Sequence, residues 1–409
     1  MEHTTSIVMI GAGYGGLMAA IRLAGRTRRR PVQVTLVNAV DTFVERIRLH
    51  EAAVGKPLKQ HSIAHILRGT GIDFIRGRVT GINRDAREVL IERDGKQETI
   101  HYDYLVYALG SRVDQDSVPG VREYAYALNP DGQNSAADLR ARLEAQRGGR
   151  VVIVGGGATG IEAAGEVKSR FPGLEVELVT EGAFGDFKNH SGVQAYMRGA
   201  LTRIGVTITE FTRVIEIRER ELALADGKAI PCDLCLWAGG FQASSLAQEA
   251  GLAVNERGRI LVDEYLRSVS DPAIYAIGDA AMPTQYTGAP YRMSAFAALV
   301  SGAHTADNLS AVVRGKLPKP FSFSTYGQGI ALGEGQGIGF ATPTDDMPVG
   351  PLYKGRVGAS IRNFFVWFLV VTFEVERRIP GFLFWFGKGR YQRHARRAGY
   401  GVQASSAGQ

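Results

Sequence analysis

The first three hundred residues alternate between short apolar runs and longer stretches with helical spacing. The runs "SIVMI" (6–10) and "RVVIV" (150–154) have the length and the β-branched content of buried strands. Each run is followed by a glycine turn and then by a segment of helical spacing, "LMAAIRLAGR" or "IEAAGEVKSRF". A second strand-like run follows each helix, "VQVTLVN" (32–38) and "LEVELVTE" (174–181). The pattern predicts an α/β protein in which one strand–turn–helix–strand unit occurs twice.

The pattern changes after residue 320. Between residues 321 and 353 glycines alternate with apolar residues, which predicts a small antiparallel sheet. A helical connector is predicted within residues 130–150, ahead of the second unit. The chain therefore divides into two similar units and a C-terminal segment of different character.

Both glycine turns have the spacing GxGxxG. In the first turn Gly11 allows a tight turn, Gly13 lets a pyrophosphate approach the backbone, and Gly16 lets the helix pack on the strand. The pyrophosphate would lie at the helix N-terminus, where free N–H groups favour an anion. The same three positions of the second turn are Gly155, Gly157 and Gly160. Two such turns with the expected flanking elements predict two dinucleotide sites.

The strand after each helix ends where the ribose of a dinucleotide is usually bound. The first unit has Asn38 there, 22 residues after Gly16, and the second has Glu181, 21 residues after Gly160. A carboxylate at this position binds ribose hydroxyls, and an amide can do so without charge. No Lys or Arg adjoins Glu181 in the sequence to hold a 2′-phosphate. This favours NADH over NADPH.

Composition narrows the class of protein. A length of 409 residues allows two or three domains, and 51 glycines suit sites where backbone meets phosphate. The only cysteines, Cys232 and Cys235, exclude a disulfide framework and favour a reducing compartment. Their CxxC spacing falls in a predicted strand, where positions i and i+3 face opposite sides, so we favour a structural role and expect no metal site. The N-terminus lacks the pattern of a signal peptide, so we expect a cytoplasmic protein.

Three further segments have the order and spacing found in one enzyme superfamily. They are apolar strands that end in small-residue turns: "YDYLVYALGS" (102–111), "CDLCLWAGGF" (232–241) and "IYAIGDAA" (274–281). With these segments and the two GxGxxG turns, residues 5–310 resemble the two-dinucleotide flavoprotein reductases of the pyridine nucleotide–disulfide oxidoreductase superfamily. The resemblance implies FAD on the first unit and a nicotinamide dinucleotide, NADH, on the second.

The resemblance also implies a domain arrangement. Asp279 of "IYAIGDAA" corresponds to the aspartate that bonds the ribityl chain of FAD in the superfamily, so the flavin site draws on both ends of the sequence. The expected fold class is α/β, with two Rossmann-like domains, the second inserted in the first, and a C-terminal segment with an amphipathic helix. The expected domains are an FAD domain of residues 1–115 and 263–320, an NAD(H) domain of residues 116–262, and a C-terminal sheet and basic–aromatic tail of residues 321–409. The residues expected to contact the cofactors are Gly11, Gly13, Gly15, Gly16, Asn38, Arg48, Val79, Gly110, Gly155, Gly157, Gly160, Glu181, Gly239, Gly278 and Asp279.

The chain lacks the dithiol of the disulfide branch, because residues 41–56, where it usually lies, contain no cysteine. The sequence is most similar to the type II NADH dehydrogenases and the apoptosis-inducing-factor-like reductases. These take hydride from NADH onto FAD, pass electrons to a quinone and pump no protons. By this resemblance Glu162 is a catalytic residue at the nicotinamide–flavin contact, and Arg46, Arg48 and His50 lie along the flavin.

The helix expected to point its N–H groups at the flavin begins either after Asp279 or near Ser294. Quinone-reducing members often carry two glutamines on this helix, in a pattern like AQxxxQ. Phe296 and Val300 stand at those positions here. The quinone pocket is therefore built differently, or the acceptor is another molecule. The alternatives are a soluble NAD(P)H reductase that donates to a protein carrier or to oxygen, and a nicotinamide-responsive redox sensor.

The C-terminal segment has the composition of a membrane-surface anchor. Residues 351–409 hold ten Lys and Arg against two Glu, and 12 of the 36 aromatic residues. The apolar run 364–373 is shorter than the ~20 residues that cross a bilayer. We expect residues 361–397 to lie on the cytoplasmic face of a membrane, with packing on the body or on a dimer partner as the alternative. No base-recognition motif supports nucleic-acid binding, and a homodimer is an open expectation from the resemblance.

Overall fold

The structure is a computed structural model that describes residues 3–185, 191–284, 291–323, 325, 327–342 and 348–383. The strands, in chain order, are β1 (Thr5–Ile10), β2 (Val32–Asn38), β3 (Thr42–Phe43), β4 (His61–Ser62), β5 (Asp73–Arg76), β6 (Arg78–Asn83), β7 (Glu88–Arg93), β8 (Lys96–His101), β9 (Tyr104–Tyr107), β10 (Ser111–Val113), β11 (Ala125–Ala127), β12 (Arg150–Val154), β13 (Glu175–Val179), β14 (Val206–Thr209), β15 (Val214–Ile217), β16 (Glu221–Leu224), β17 (Ala229–Pro231), β18 (Leu234–Trp237), β19 (Phe241–Ala243), β20 (Ile260–Val262), β21 (Ile274–Ala276), β22 (Ala281–Pro283), β23 (Gly327–Ala331), β24 (Gly337–Ala341) and β25 (Val349–Lys354).

The helices are α1 (Tyr14–Thr27), α2 (Leu49–Ala53), α3 (Ile63–Ile66), α4 (Val121–Tyr124), α5 (Ala136–Ala145), α6 (Ala158–Arg170), α7 (Ser191–Arg203), α8 (Leu246–Glu249), α9 (Ala295–Val312) and α10 (Gly355–Arg378). The predicted connector within residues 130–150 corresponds to α5, which begins with a capping box at Ser135.

Two parallel five-stranded sheets carry the fold. Their strand orders are β21-β9-β1-β2-β5 and β11-β18-β12-β13-β14. Neighbouring strands run parallel throughout both sheets. Each glycine turn joins the central strand to its helix, β1 to α1 and β12 to α6, and an antiparallel three-stranded sheet follows the third strand of each unit. The predicted duplication of a Rossmann-like unit is therefore confirmed.

The second unit is inserted in the first. The chain leaves the first unit through β10 and returns through β19, and these two strands pair antiparallel with Ser111 opposite Ala243. It then adds β21 to the edge of the first sheet, next to β9. The expected α/β fold with an inserted domain is confirmed, whereas the boundaries at residues 115, 262 and 320 stay predictions.

The glycine-rich C-terminal region forms the predicted antiparallel sheet, with the order β23-β24-β25. Helix α10 packs closely across it, because a Cβ on Gly358 would overlap the carbonyl oxygen of Gly337. Further along the helix, Leu369 and Phe373 join the apolar core of the first unit. The described part of the C-terminal region is thus part of the folded body.

Among the described residues, α10 is a helix long and apolar enough to cross a bilayer by length and composition alone. Its 24 residues correspond to about 36 Å. One face is nevertheless packed on the protein and carries the buried Arg362 and Glu376, both in ion pairs. The opposite side exposes Val357, Phe364 and Trp367. Helix α10 is therefore amphipathic, as predicted, and the expectation that its apolar run does not cross a membrane stays a prediction.

Two local predictions are corrected. No α-helix begins directly after Gly278 and Asp279, because a single 3-10 turn leads there into β22, and α9 begins only at Ala295. Of the two cysteines, only Cys235 lies in a strand, β18, while Cys232 lies in the preceding connection. Both are free and buried, and burial raises the pKa of the Cys232 thiol to about 11 and that of Cys235 as well. Such thiols are poor nucleophiles, in accord with a structural role.

Candidate dinucleotide sites and the cavity behind helix α10

The turn between β1 and α1 is shaped by three glycines. Gly11 has a φ of +97°, and a Cβ there would overlap the carbonyl oxygen of Ala108. A Cβ on Gly16 would overlap the carbonyl oxygen of Gly11, so α1 packs directly on the turn. A Cβ on Gly13 would meet no protein atom within 4 Å. The space over Gly13 is therefore open to a ligand.

The turn between β12 and α6 repeats this geometry. Gly155 has a φ of +128°, and its Cβ would overlap the carbonyl oxygen of Ala238. A Cβ on Gly160 would overlap the carbonyl oxygen of Gly155, whereas one on Gly157 would meet nothing within 4 Å. The packing roles of the outer glycines follow from these overlaps. The phosphate contacts at the middle glycines stay predictions.

Both helices begin in a way that suits an anion. The N-cap residues Gly13 and Gly157 provide no side-chain cap, and neither helix has an acidic residue in its first turn. Their first N–H groups are therefore available to a phosphate. Asn38 fixes the first turn, because its Oδ1 accepts a hydrogen bond from the Ala12 N–H at 2.9 Å. Its amide nitrogen donates to the Val40 carbonyl oxygen at 2.8 Å.

A cavity of about 430 Å³ extends over the first turn and reaches the second unit. The start of α6 borders it with Ala158 and Thr159, and the start of α9 borders it with Ser294 and Ala295. Of the two helix starts considered for the flavin, the one near Ser294 is thus the one at this cavity. The predicted residues that line it are Gly11, Gly13, Gly15, Asn38, Arg46, His50, Gly110, Glu162, Gly278 and Asp279.

Asp279 is a half-buried carboxyl group that lines this first cavity. The Ser111 hydroxyl donates to Asp279 Oδ2 at 2.7 Å. Burial raises the pKa of Asp279 above its usual value, while Ser111 and the cations Arg46 and Arg259 oppose the rise. Because a carboxylate accepts up to about four hydrogen bonds, Asp279 has capacity left for hydroxyl groups of a ligand.

Glu162 is held by the C-terminal region, a contact that the sequence did not reveal. Arg362 Nε and the Ala331 N–H both donate to Glu162 Oε1 at 3.1 Å. Arg362 also pairs with Glu51, and its Nη2 lies 3.1 Å from His50 Nε2. Glu162 Oε2 lies 3.8 Å from His50 Nδ1. These four side chains, His50, Glu51, Glu162 and Arg362, form one buried cluster, the cavity wall.

The groups of the cavity wall stabilise one another. Burial lowers the pKa of Arg362, but Glu162 and Glu51 outweigh this effect and raise it above its usual value. Burial raises the pKa of Glu51, but Arg48 and Arg362 outweigh that and hold it at about 2. Burial lowers the pKa of His50, so this imidazole is neutral at pH 7. The wall thus holds an arginine charge between two carboxyl groups, beside a neutral histidine.

A second cavity, of about 440 Å³, lies on the other side of this wall. Glu51 and Arg362 line the second cavity, whereas His50 and Glu162 line the first. A single layer of side chains therefore separates the two spaces. The apolar residues that α10 contributes to the second cavity are Ala359, Val366, Trp367, Val370 and Val371.

The comparison with known proteins agrees with this geometry. The model of the pyridine nucleotide-disulphide oxidoreductase family matches residues 5–302. The chain belongs to this family. It is 29% identical over 301 residues to an NADH dehydrogenase-like protein of Mycobacterium tuberculosis, covering 68% of this chain and 73% of the relative. It is 28% identical over 386 residues to a type II NADH:quinone oxidoreductase of Haemophilus influenzae, covering 82% of this chain and 87% of the relative.

Solved structures of other proteins share this fold. The NDH2 of Plasmodium falciparum in complex with NADH superposes with a TM-score of 0.74 at 16% identity, over 93% of this chain and 99% of that one. A NAD-dependent persulfide reductase of A. fulgidus has a TM-score of 0.67 at 24% identity, over 82% of this chain. The chain spans only 64% of the length of that reductase. At these identities the likeness shows the fold.

Arg48, which was predicted to lie along the flavin, does not line the first cavity. It lies 2.8 Å from Glu51 and 3.7 Å from Glu45, and it lines the second cavity. The two carboxyl groups hold its guanidinium away from the first cavity, where it was expected along the flavin. The other predicted residues that do not line the first cavity are Gly16, Val79, Gly155, Gly157, Gly160, Glu181 and Gly239.

The end of β13, where a Rossmann-like unit usually binds the adenosine ribose of a dinucleotide, has an unexpected cation. Arg213 Nε lies 3.6 Å from Glu181 Oε1, and both side chains are exposed. The turn after β14 brings it there, because the Thr180 N–H donates to the Thr209 carbonyl and the Thr212 N–H donates to the Thr180 carbonyl. The prediction that no cation adjoins Glu181 considered sequence neighbours only. In space it is wrong.

Proposed function

We propose that this family member transfers hydride from NADH to bound FAD and passes the electrons to a quinone, without pumping protons. In balance, NADH, one proton and a quinone give NAD⁺ and a quinol. The observation that carries the proposal is the pair of cavities that share one wall. A flavoprotein of this kind needs one approach for the nicotinamide and another for the acceptor, beside the same cofactor. The relatives named type II NADH:quinone oxidoreductases, aligned over most of this chain, support the same reaction.

The residues of the first cavity fit FAD. The open space over Gly13 and the uncapped start of α1 would hold the pyrophosphate, and Asp279 would accept the ribityl hydroxyls. When bound, FAD supplies the hydride acceptor and the electron donor to the quinone. Ser294 and Ala295 at the start of α9 would orient the flavin ring. We assign residues 1–115 and 263–320 to this FAD domain.

The second unit would hold NADH in the corresponding way. The space over Gly157 and the start of α6 suit the pyrophosphate, and Glu181 suits the adenosine ribose. Glu162 lies on α6 and lines the first cavity, so it would lie where the nicotinamide reaches the flavin. Arg362 fixes the direction of its carboxyl group. We assign residues 116–262 to this NAD(H) domain.

We assign the quinone to the second cavity. The valines and Trp367 of α10 suit an apolar ring, and the cations Arg48 and Arg362 can donate hydrogen bonds to quinone oxygens. The predicted glutamine positions, Phe296 and Val300, are absent from the lining of both described cavities. The presence of Phe296 and Val300 in place of glutamines is therefore compatible with a quinone site in which arginines donate the hydrogen bonds.

Filling the second cavity tests this assignment. In Val370→Trp the larger ring occupies the space beside Trp367, so we expect quinone to reoxidise the NADH-treated enzyme at least about tenfold more slowly. Bleaching by NADH and reoxidation by ferricyanide should keep their rates. Val357→Trp, at an exposed position of the same helix, is the matched control. Equal rates with quinone for both variants would place the acceptor elsewhere.

We further propose that the protein lies on a membrane surface through residues 361–397. The exposed Phe364 and Trp367 lie on one side of α10, and Ile379 and Phe382 are exposed just beyond its end. Aromatic and aliphatic side chains on an exposed helix face suit the interface between headgroups and acyl chains. Residues 384–397 lie outside the described part of the chain. The predicted homodimer stays a prediction.

A further inference from the structure

A third cavity, of about 450 Å³, lies where the ends of α1 and α9 meet the end of α10. Of the described residues that line it, all but Gly25 are basic and none carries a carboxyl group. The six basic residues are Arg26, Arg28, Arg29, Arg30, Arg314 and Lys316. We call the last five of these the basic corner.

The charges of the basic corner have no opposite charge beside them. Within the described part of the chain Arg26 pairs with Asp307 at 2.8 Å, but the five residues of the basic corner form no ion pair. Arg314 instead donates to the Arg26 carbonyl oxygen at 2.6 Å and to the Ser310 hydroxyl at 2.7 Å. These bonds fix its guanidinium at the corner. Five cations held close together repel one another. A bound anion lowers this repulsion energy.

Exposed apolar side chains surround the basic corner. Leu317, next to Lys316, has 89% of its surface exposed, and Ile379 and Phe382 have more than half exposed. Apolar groups next to several cations are typical of protein surfaces that enter the headgroup region of a bilayer.

The end of α10 is fixed against this corner. A Cβ on Gly25 would overlap the ring of Pro380, so the chain after α10 lies directly on α1. Arg22 Nη1 donates to the Leu383 carbonyl oxygen at 2.8 Å. From this point the sequence continues into residues 384–397, "FWFGKGRYQRHARR", which are aromatic and basic. The corner therefore adjoins the segment already proposed to contact the membrane.

We propose that the basic corner binds the phosphate groups of anionic lipids and thereby orients the enzyme on the membrane. The occupant is a lipid surface because exposed apolar side chains adjoin the cations: Leu317 follows Lys316, and Ile379 and Phe382 flank the Pro380–Gly381 turn that lies against Gly25. A soluble phosphate would use the cations alone. The proposal extends the membrane contact of the proposed function, but it does not depend on the identity of the electron acceptor.

Co-sedimentation of the full-length, FAD-loaded protein with lipid vesicles tests the proposal. The variant Arg28→Gln/Arg29→Gln/Arg30→Gln removes three charges of the corner. Each arginine near an anionic surface contributes about a fivefold factor, so we expect vesicles of phosphatidylcholine and phosphatidylglycerol to bind the variant on the order of 100-fold more weakly. Binding of the unmodified protein should also fall as salt is added.

The matched control removes three exposed arginines of the second unit, in Arg142→Gln/Arg147→Gln/Arg203→Gln. Both variants should keep the NADH:menadione rate of the unmodified protein, which shows that they fold. A corner variant that binds anionic vesicles as tightly as the control overturns the proposal. Loss of binding to an RNA homopolymer with vesicle binding unchanged overturns it in favour of a nucleic-acid surface. In both cases retained NADH:menadione turnover leaves the proposed function standing.

Discussion

Arg362 joins three parts of the molecule. It lies on α10, pairs with Glu51 of α2 and donates to Glu162 of α6. Its guanidinium is buried, so Glu162 depends on it for compensation of its charge, while Glu51 is paired with both Arg362 and Arg48. Removing one partner of a buried ion pair leaves the other charge uncompensated, which costs more than the net energy of the pair itself.

Arg362→Met is therefore expected to destabilise the protein by about 3–5 kcal/mol. Methionine fills similar space but leaves Glu162 without its cation and Glu51 with Arg48 alone. Urea unfolding of the FAD-loaded protein measures the change. Arg356→Met, at an exposed position of the same helix, should stay within about 0.5 kcal/mol of the unmodified protein. Similar midpoints for both variants would contradict the role given to Arg362.

Glu51 should make stability depend on pH in a defined window. Its pKa is about 2 in the folded protein against an ordinary value of 4.5, so folding favours the ionised form. The stabilisation is fully present above pH 4.5 and is lost as the pH falls from there towards about 2. Urea unfolding at a series of pH values should show the deficit of Glu51→Gln shrinking below pH 4.5. A deficit that is constant with pH would disprove this.

Glu181 and Arg213 should together set the choice of nicotinamide dinucleotide. The Glu181 carboxylate repels a 2′-phosphate, whereas Arg213 attracts it. We expect Glu181→Gln to raise the NADPH-to-NADH ratio of kcat/KM by about tenfold, which corresponds to about 1.4 kcal/mol. Arg213→Gln should lower the ratio. Steady-state kcat/KM values with NADPH and NADH measure this ratio. If neither substitution changes the ratio, Glu181 and Arg213 do not determine the choice of dinucleotide.

At the scale of elements, the two strand–turn–helix units are the features that the sequence specifies most directly. The runs 32–38 and 150–154 coincide with β2 and β12. Apolar runs and GxGxxG turns are predictable because residues close in sequence determine their structure. Of the two helix starts considered for the flavin, the one near Ser294 is confirmed and the one after Asp279 is wrong, because the small residues there form a 3-10 turn and a short strand. The position of Arg213 depends on hydrogen bonds between strand ends, which periodicity does not show.

The second turn offers two glycines with opposite expected outcomes. Gly160→Ala forces a Cβ onto the Gly155 carbonyl, so we expect a loss of stability of about 1–3 kcal/mol. Gly157→Ala meets no protein atom, so the fold and the FAD content should be unchanged. Its methyl group would enter the space predicted for the pyrophosphate, and KM for NADH should rise on the order of tenfold. An unchanged KM would show that NADH does not bind over this turn.

At the scale of the whole molecule, the function depends on how the C-terminal region completes the body. The sequence predicted the small sheet, the amphipathic helix and the first cavity, because each follows from motifs or from periodicity. It did not predict the cavity wall or the second cavity. Arg362 lies 200 residues beyond Glu162 in the chain, and no pattern links them before the fold brings them together. The position of Arg48 was not predicted either, because its ion pairs with Glu45 and Glu51 place it at the second cavity.

The measurement that tests the central claim most directly is made without oxygen. The purified FAD-loaded protein is mixed with NADH while the flavin absorbance is followed, and menadione is then added. Electron transfer from NADH to a quinone predicts rapid bleaching followed by rapid recovery of the absorbance. Bleaching without recovery would contradict the quinone as acceptor, and an absence of bleaching would contradict the assignment of NADH to the second unit.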